Sequence, residues 1–391
     1  MAELGSGRSG PPQSRLKWPV RRRSAGPEEI TVQDVAGPEG TAEDIAVQDI
    51  AELEAADRQL PPPPLVPMAD PPQRLNLAIL RLAGLGLALV LALTLTLVRL
   101  FVGGPPSIAE LRAQAGVDGW SELAIGVKDD QPGVAYYNKH DRIWSGFDID
   151  IAYMIAEDLG FRRQEVKFFA IESEDRARMQ ATDASGNRVP VNMVIASYSI
   201  TAERKAMGVT FSAPYLYTEQ SVLTLKNHPA VASFRDLSGK KVCSLSTSTS
   251  ASALTLAHAD VISRNRVSEC LGMLRKHEVD AISTDAAILA GYKNMYGDEL
   301  RHWDIGLDSS EKWGVNVGVG DAPATRALQT LVDVTLYKSW KDPHDNRWEL
   351  AYQNNLQTEV AANVPTPIAV AEQPPVSRPD VRQLPWESDL P

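Results

Sequence analysis

From Leu82 to Val98 the chain reads LAGLGLALVLALTLTLV, with no charged residue, and largely apolar flanks carry the stretch past Arg81 and Arg99. A helix rises about 1.5 Å per residue, so about 20 apolar residues cross a bilayer core, and arginines at the ends can extend to the headgroups. Residues 75–103 are therefore expected to form one transmembrane helix. A buried core helix and a cleaved signal peptide are the alternatives. No Ala-x-Ala follows the run, and Pro105 and Pro106 crowd Gly103 and Gly104, so an uncleaved signal anchor fits better. Cys243 and Cys270 lie too far from the N-terminus for a lipoprotein anchor. Arg15, Lys17 and Arg21 to Arg23 favour a cytoplasmic N-terminus and an extracytoplasmic C-terminal part at the cell membrane.

The anchor divides the chain. Before it, residues 1–74 have no aromatic after Trp18, and between Ser24 and Asp70 there are 11 acids against the single base Arg58. Such a composition cannot bury enough apolar surface to offset ordering entropy, so a disordered acidic cytoplasmic tail is expected. Thr31 to Val35 (TVQDV) and Ala46 to Ile50 (AVQDI) are weakly similar, as a short repeated docking motif would be. After Gln357 the chain turns to Pro, Val, Ala and Gln without periodicity, and 358–391 is read as a disordered extension.

Between about Trp120 and Gln357, short apolar strands alternate with amphipathic helical patterns, which is the signature of an α/β fold. The strand candidates are 123–127, 166–170, 191–195, 220–225, 241–245, 281–284 and 314–319. Helices are expected over 148–159, 251–256, 270–275 and 322–340.

Several function classes are disfavoured. The formal net charge of -11 offers no electrostatic footprint for nucleic acid. The six histidines form no i, i+4 pair, no Gly-x-Ser-x-Gly elbow is present, and Gly318-Val-Gly320 lacks the context of a phosphate loop. No catalytic residues, metal site or cofactor are expected.

What the chain does carry is Ala196-Ser-Tyr-Ser-Ile-Thr-Ala-Glu-Arg204, where hydroxyls run into a guanidinium just after an apolar strand. Donors without a matching acceptor suit a small carboxylate. Four further segments surround this one in order: Ser145 to Gly160 (SGFDIDIAYMIAEDLG), Phe211 to Tyr215 (FSAPY), Leu237 to Val242 (LSGKKV) and Val279 to Asp285 (VDAISTD). Together they resemble the extracytoplasmic amino-acid-binding proteins of ABC importers, solute-binding protein family 3, over about 120–357.

The resemblance implies a two-lobed, hinged, type II periplasmic-binding-protein-like fold. Lobe 1 would comprise 120–220 plus 320–357 and lobe 2 would comprise 221–319, with the return crossing near Val315 to Val319 and ligand in the cleft. It further implies that Arg204 clamps an α-carboxylate, for which bidentate guanidinium geometry is suited, and that Asp285 takes an α-ammonium. Taken alone, Arg204 reads as a surface ion pair and Asp285 as a helix N-cap. Asp280 is read as structural. Lys128 and Arg176 resemble cationic positions of glutamate- and aspartate-binding members, with Arg178 competing for the second place. Hydroxyls of Ser197 and Ser199, and of Ser248, Thr249 and Ser250 before a helix, supply further donors or simple caps. Asn192, Ala196 and Thr247 depart from the family pattern, standing where an Asp, a hydroxyl and a glycine are common.

Cys243 and Cys270 both fall in the second lobe so defined. They form either a disulfide, stabilising by about 3 to 4 kcal/mol in an oxidising compartment, or two buried thiols. The function expected first is a membrane-tethered binding protein that captures glutamate or aspartate for an ABC importer permease. The acidic tail suits a second reading, an amino-acid sensor with a membrane signalling partner or kinase. A dehydratase of this fold needs a general acid in the cleft, for which no residue stands out.

Overall fold

Leu123–Val127, Val166–Ala170 and Met193–Val194 form the parallel centre of a sheet, and their composition explains why. Leu123, Ile125 and Val127 on one face and Gly126 on the other are buried, as expected of a strand covered on both faces. The computed structural model describes residues 77–101, 104–306 and 310–383. The expected N-terminal tail and the last residues of the C-terminal extension lie outside them.

The first sheet has seven strands, in the order Arg188–Pro190, Gln180–Thr182, Val166–Ala170, Leu123–Val127, Met193–Val194, Glu311–Val319, Val209–Thr218. The second has five, in the order Asp260–Arg264, Lys241–Leu245, Ala281–Asp285, Gln220–Leu225, Leu300–Asp304. A small antiparallel sheet of Asp130–Gln131, Ala135–Asn138 and Ile143–Ser145 belongs to the first lobe. The result is a two-lobed α/β fold.

The chain leaves the first sheet after Thr218 and enters the second at Gln220. It has returned by Glu311, because Glu311–Val319 pairs with Val209–Thr218 and with Met193–Val194. This corrects the expected return near Val315 to Val319 and the assignment of 221–319 as a whole to the second lobe. Trp313, Val315 and Val317 are buried apolar residues that would suit either sheet, and the choice of partner strand is a long-range property that periodicity does not carry.

Helix Phe147–Asp158 begins at Gly146, whose φ is 125° and whose Cβ, if present, would lie 2.3 Å from the Val134 carbonyl oxygen. Only glycine meets both conditions. The apolar helix Leu77–Phe101 is long enough to cross a membrane, and its side chains through Val98 are exposed. Thr94 and Thr96 donate their hydroxyls back to Val90 O and Ala92 O at 2.7 and 2.8 Å, which hides their polarity within the helix. Helix Ile108–Ala115 then starts in a capping box between Ser107 and Glu110.

The reading of 358–391 as disordered is overturned as far as Gln383. Asn363 Oδ1 lies 2.6 Å from His302 Nδ1, and Thr366 donates to His302 O at 3.0 Å, both on the second lobe. Thr218 Oγ1 then donates to Ile368 O at 2.6 Å, and Gln373 Nε2 to Leu336 O at 2.9 Å. Ile368 and Val376 are buried in the main core. The segment docks as an aperiodic ribbon, so nothing in its local pattern announces the packing.

Candidate functional site

The strand Met193–Val194 delivers the chain into a loop that Ser197 turns, with φ 48°. That left-handed geometry is held by Asp148 Oδ2, which accepts Ser197 N–H at 2.9 Å, while Ser197 Oγ donates to Gln131 Oε1 at 2.6 Å. Asp148 also accepts the Tyr215 hydroxyl at 2.9 Å. Burial pushes its carboxyl up to about 7.

Three cations converge beside this loop. Arg204 rises from helix Ala202–Ala206, capped by Thr201, and donates to Ser199 O and, at 2.8 Å, to Thr247 O of the second lobe. Arg176, in the turn Arg176–Arg178, donates to Ser173 O, Ala196 O and Ser197 O, each at 3.2 Å. Lys128 follows the first strand and donates to Ser173 Oγ at 2.9 Å and to Asn265 O of the second lobe at 3.2 Å. All three are 6% exposed or less. Burial, followed by the charge of Arg176, depresses the Lys128 ammonium to about 7. Burial, followed by the charge of Arg204, depresses Arg176 to about 9, and burial lowers Arg204. Arg178, the competing candidate, is exposed and ion-paired with Asp175 at 3.0 Å.

The acceptor faces them from the other lobe. Asp285 ends the strand Ala281–Asp285 and is 5% exposed. It stands at the N-cap of helix Ala286–Tyr296 but makes no cap hydrogen bond. Glu219 O and Thr218 Oγ1 take the first two helical N–H groups instead, at 2.7 and 3.3 Å. Asp285 Oδ2 is thus left to accept the Trp313 indole N–H, and burial, followed by the charge of Glu311, pushes its carboxyl up to about 8.

Ser248 caps helix Thr249–Leu256 through Ala251 N–H at 3.1 Å, and Thr249 and Ser250 open that helix. Ser199 is buried beside Arg204 and bridges to Trp313. The structure therefore brings Lys128, Arg176, Ser197, Ser199 and Arg204 to one side of the cleft and Asp285 to the other, with the cap at Ser248 next to Thr247. Asp280, by contrast, accepts Lys241 N–H at 2.8 Å in the second-lobe scaffold. Cys243 and Cys270 are joined in a disulfide, with Cα atoms 5.5 Å apart. Among the described residues no group of three or more His, Cys, Asp or Glu is arranged to hold a metal.

The lobes are closed on one another. Thr247 Oγ1 donates to Ser173 O at 3.2 Å, Ser268 N–H to Asp130 Oδ2 at 2.8 Å, and Arg266 pairs with Asp129 and, at 3.5 Å, with Glu172. Thr247 has φ 57°, a strained conformation for a β-branched residue and the reason glycine suits this position. Asn192 Oδ1 accepts Ala124 N–H at 2.8 Å, a scaffold bond that an aspartate oxygen would make equally, and Ala196 contributes only its carbonyl. Sequence reasoning missed Tyr198, Ser173, Asn265, Arg266 and Trp313. Ser173 and Asn265 act through backbone carbonyls, which carry no residue-type signal.

The family model for bacterial extracellular solute-binding proteins, family 3, matches residues 123–342. The glutamate-binding protein GluB of Corynebacterium glutamicum is 30% identical over 220 residues, covering 54% of this chain and 72% of that protein. The ABC transporter glutamine-binding protein GlnH of Bacillus subtilis is 27% identical, covering 61% of this chain and 83% of that protein. A solved ancestral arginine-binding protein bound to glutamine superposes with a TM-score of 0.51 at 26% identity, covering 60% of this chain and 97% of that one.

Proposed function

The chain belongs to the bacterial extracellular solute-binding proteins of family 3, and from that premise we propose that it captures an acidic α-amino acid, glutamate or aspartate, for ABC-type import. The observation that carries this reading is the charge of the cleft. Lys128, Arg176 and Arg204 are buried together, and their hydrogen bonds go to a serine hydroxyl and to backbone carbonyls. Such a site favours an anion with two carboxylates. Arg204 takes the α-carboxylate together with the Ser199 hydroxyl and the capped helix start at Ser248 and Thr249. Asp285, oriented by Trp313, takes the α-ammonium. Lys128 and Arg176 then take the side-chain carboxylate, and Ser197 supplies a further polar contact.

The apolar helix Leu77–Phe101 supports tethering of this domain to a membrane, and Arg15, Lys17 and Arg21 to Arg23 favour a cytoplasmic N-terminus. The partner is an importer permease.

Calorimetric titration with the twenty amino acids tests the proposal. Micromolar or tighter binding of glutamate or aspartate is expected, abolished by Arg204→Ala or Asp285→Ala. Removing one partner of a desolvated charge pair costs about 2 to 5 kcal/mol. A near-normal dissociation constant in Arg204→Ala would remove it from the site, and exclusive binding of a neutral amino acid would remove the acidic reading.

A further inference from the structure

Tyr198 contacts both guanidiniums of the cleft. Cζ of Arg176 and Cζ of Arg204 each lie 4.5 Å from its ring centroid. The ring is 3% exposed and is backed by Phe211, with centroids 5.0 Å apart, and by Val209 and Ile200. Its backbone is anchored as well, since Gly314 N–H donates to Tyr198 O at 3.0 Å and Asp148 holds the N–H of Ser197. The platform is therefore rigid.

Two buried like charges repel, and here the hydrogen bonds they make go to the carbonyls of Ser173, Ala196, Ser197, Ser199 and Thr247. Carbonyl dipoles fix the donors and offset part of the positive charge. An aromatic face adds to this, because its quadrupole is negative above the ring, and a desolvated site strengthens the attraction. A single ring that contacts both cations also sets the distance between them. We infer that Tyr198 is a positioning residue that holds Arg176 and Arg204 at a fixed separation, and so selects the length of dicarboxylate the cleft accepts. This rests on the acidic-ligand reading above.

The test uses the full chain in detergent micelles, with Y198F, which keeps the ring, and Y198M, which keeps bulk without it. Calorimetry with glutamate, aspartate and glutamine gives two ratios, glutamate to aspartate and glutamate to glutamine. Y198F is expected to retain both within about threefold, whereas Y198M reduces the preference for the better acid by about tenfold, the scale of a buried cation–π contact. Unchanged ratios in Y198M, or equal loss in Y198F, overturn the inference while leaving the acidic reading intact. If Y198M does not fold, the Nε–Hε resonances of the wild type decide. Ring-current shifts are expected for both Arg176 and Arg204, retained in Y198F, and unshifted signals overturn the inference. A wild-type chain that binds neither acid overturns both readings, and that outcome is seen before any variant is made.

Discussion

The indole Nε1 of Trp313 donates to Oδ2 of Asp285 at 2.6 Å, so a first-sheet strand holds the carboxylate of the second lobe. Both groups are buried, with Trp313 fully enclosed. The group proposed to take the ammonium is therefore oriented by the lobe opposite its own, and fixing a group in this way lowers the cost of binding.

The proposed selectivity for an acidic ligand depends on Lys128. With its ammonium 2% exposed and held by Ser173 and Asn265 O, Lys128→Met removes a charge that only an acidic side chain uses. Glutamate affinity should fall by about 2 kcal/mol or more, as expected for a desolvated charge pair, and glutamine affinity by much less. Equal loss for the two ligands would place Lys128 outside the side-chain subsite.

Binding should have a bell-shaped pH dependence. The competent cleft needs Asp285 ionised and Lys128 protonated, yet burial leaves the free protein with Asp285 near 8 and Lys128 near 7. Below about 7, binding must expel a proton from Asp285, so affinity falls as pH drops. Above about 8, it must supply a proton to Lys128, so affinity falls as pH rises. The maximum lies between the two, with limits near tenfold per unit on each side because one proton is linked. Calorimetry in buffers of differing ionisation enthalpy measures this, and a flat profile from pH 6 to 9 contradicts it.

Gly291 separates closure from folding. It lies within helix Ala286–Tyr296 of the second lobe, and a Cβ there would sit 2.0 Å from the backbone oxygen of Pro132 in the first. Alanine favours a helix interior over glycine by about 1 kcal/mol, so Gly291→Ala should leave the ligand-free melting temperature unchanged or raised. Lobe closure should nonetheless be obstructed, weakening glutamate and glutamine alike. Wild-type affinity would show that the lobes need not approach this closely.

The disulfide contributes stability inside one lobe. Cys243 and Cys270 are 27 positions apart in the sequence, and breaking such a loop costs about 3 to 4 kcal/mol in the chain-entropy model. Replacing both cysteines by alanine should shift the denaturant midpoint accordingly. A midpoint that does not move would mean that the reduced, unfolded lobe is already compact.

Much of this molecule is legible in its sequence wherever local chemistry is enough. Strands such as Leu123–Val127 and Lys241–Leu245 appear as apolar runs because both faces are buried. Arg204 and Asp285 stand out because a guanidinium at a hydroxyl-rich strand end and an acid at a helix start are distinctive side chains in distinctive places. Tertiary structure alone decided the rest. The pairing of Glu311–Val319 with the first sheet, the docking of 364–383 across both lobes, and the carbonyls of Thr247 and Asn265 that hold two cations all join residues far apart in the chain. Backbone acceptors look the same in every residue, and the energy of a strand pair or a buried contact depends on what lies opposite. Periodicity reports which face is buried, while only the folded chain supplies the partner.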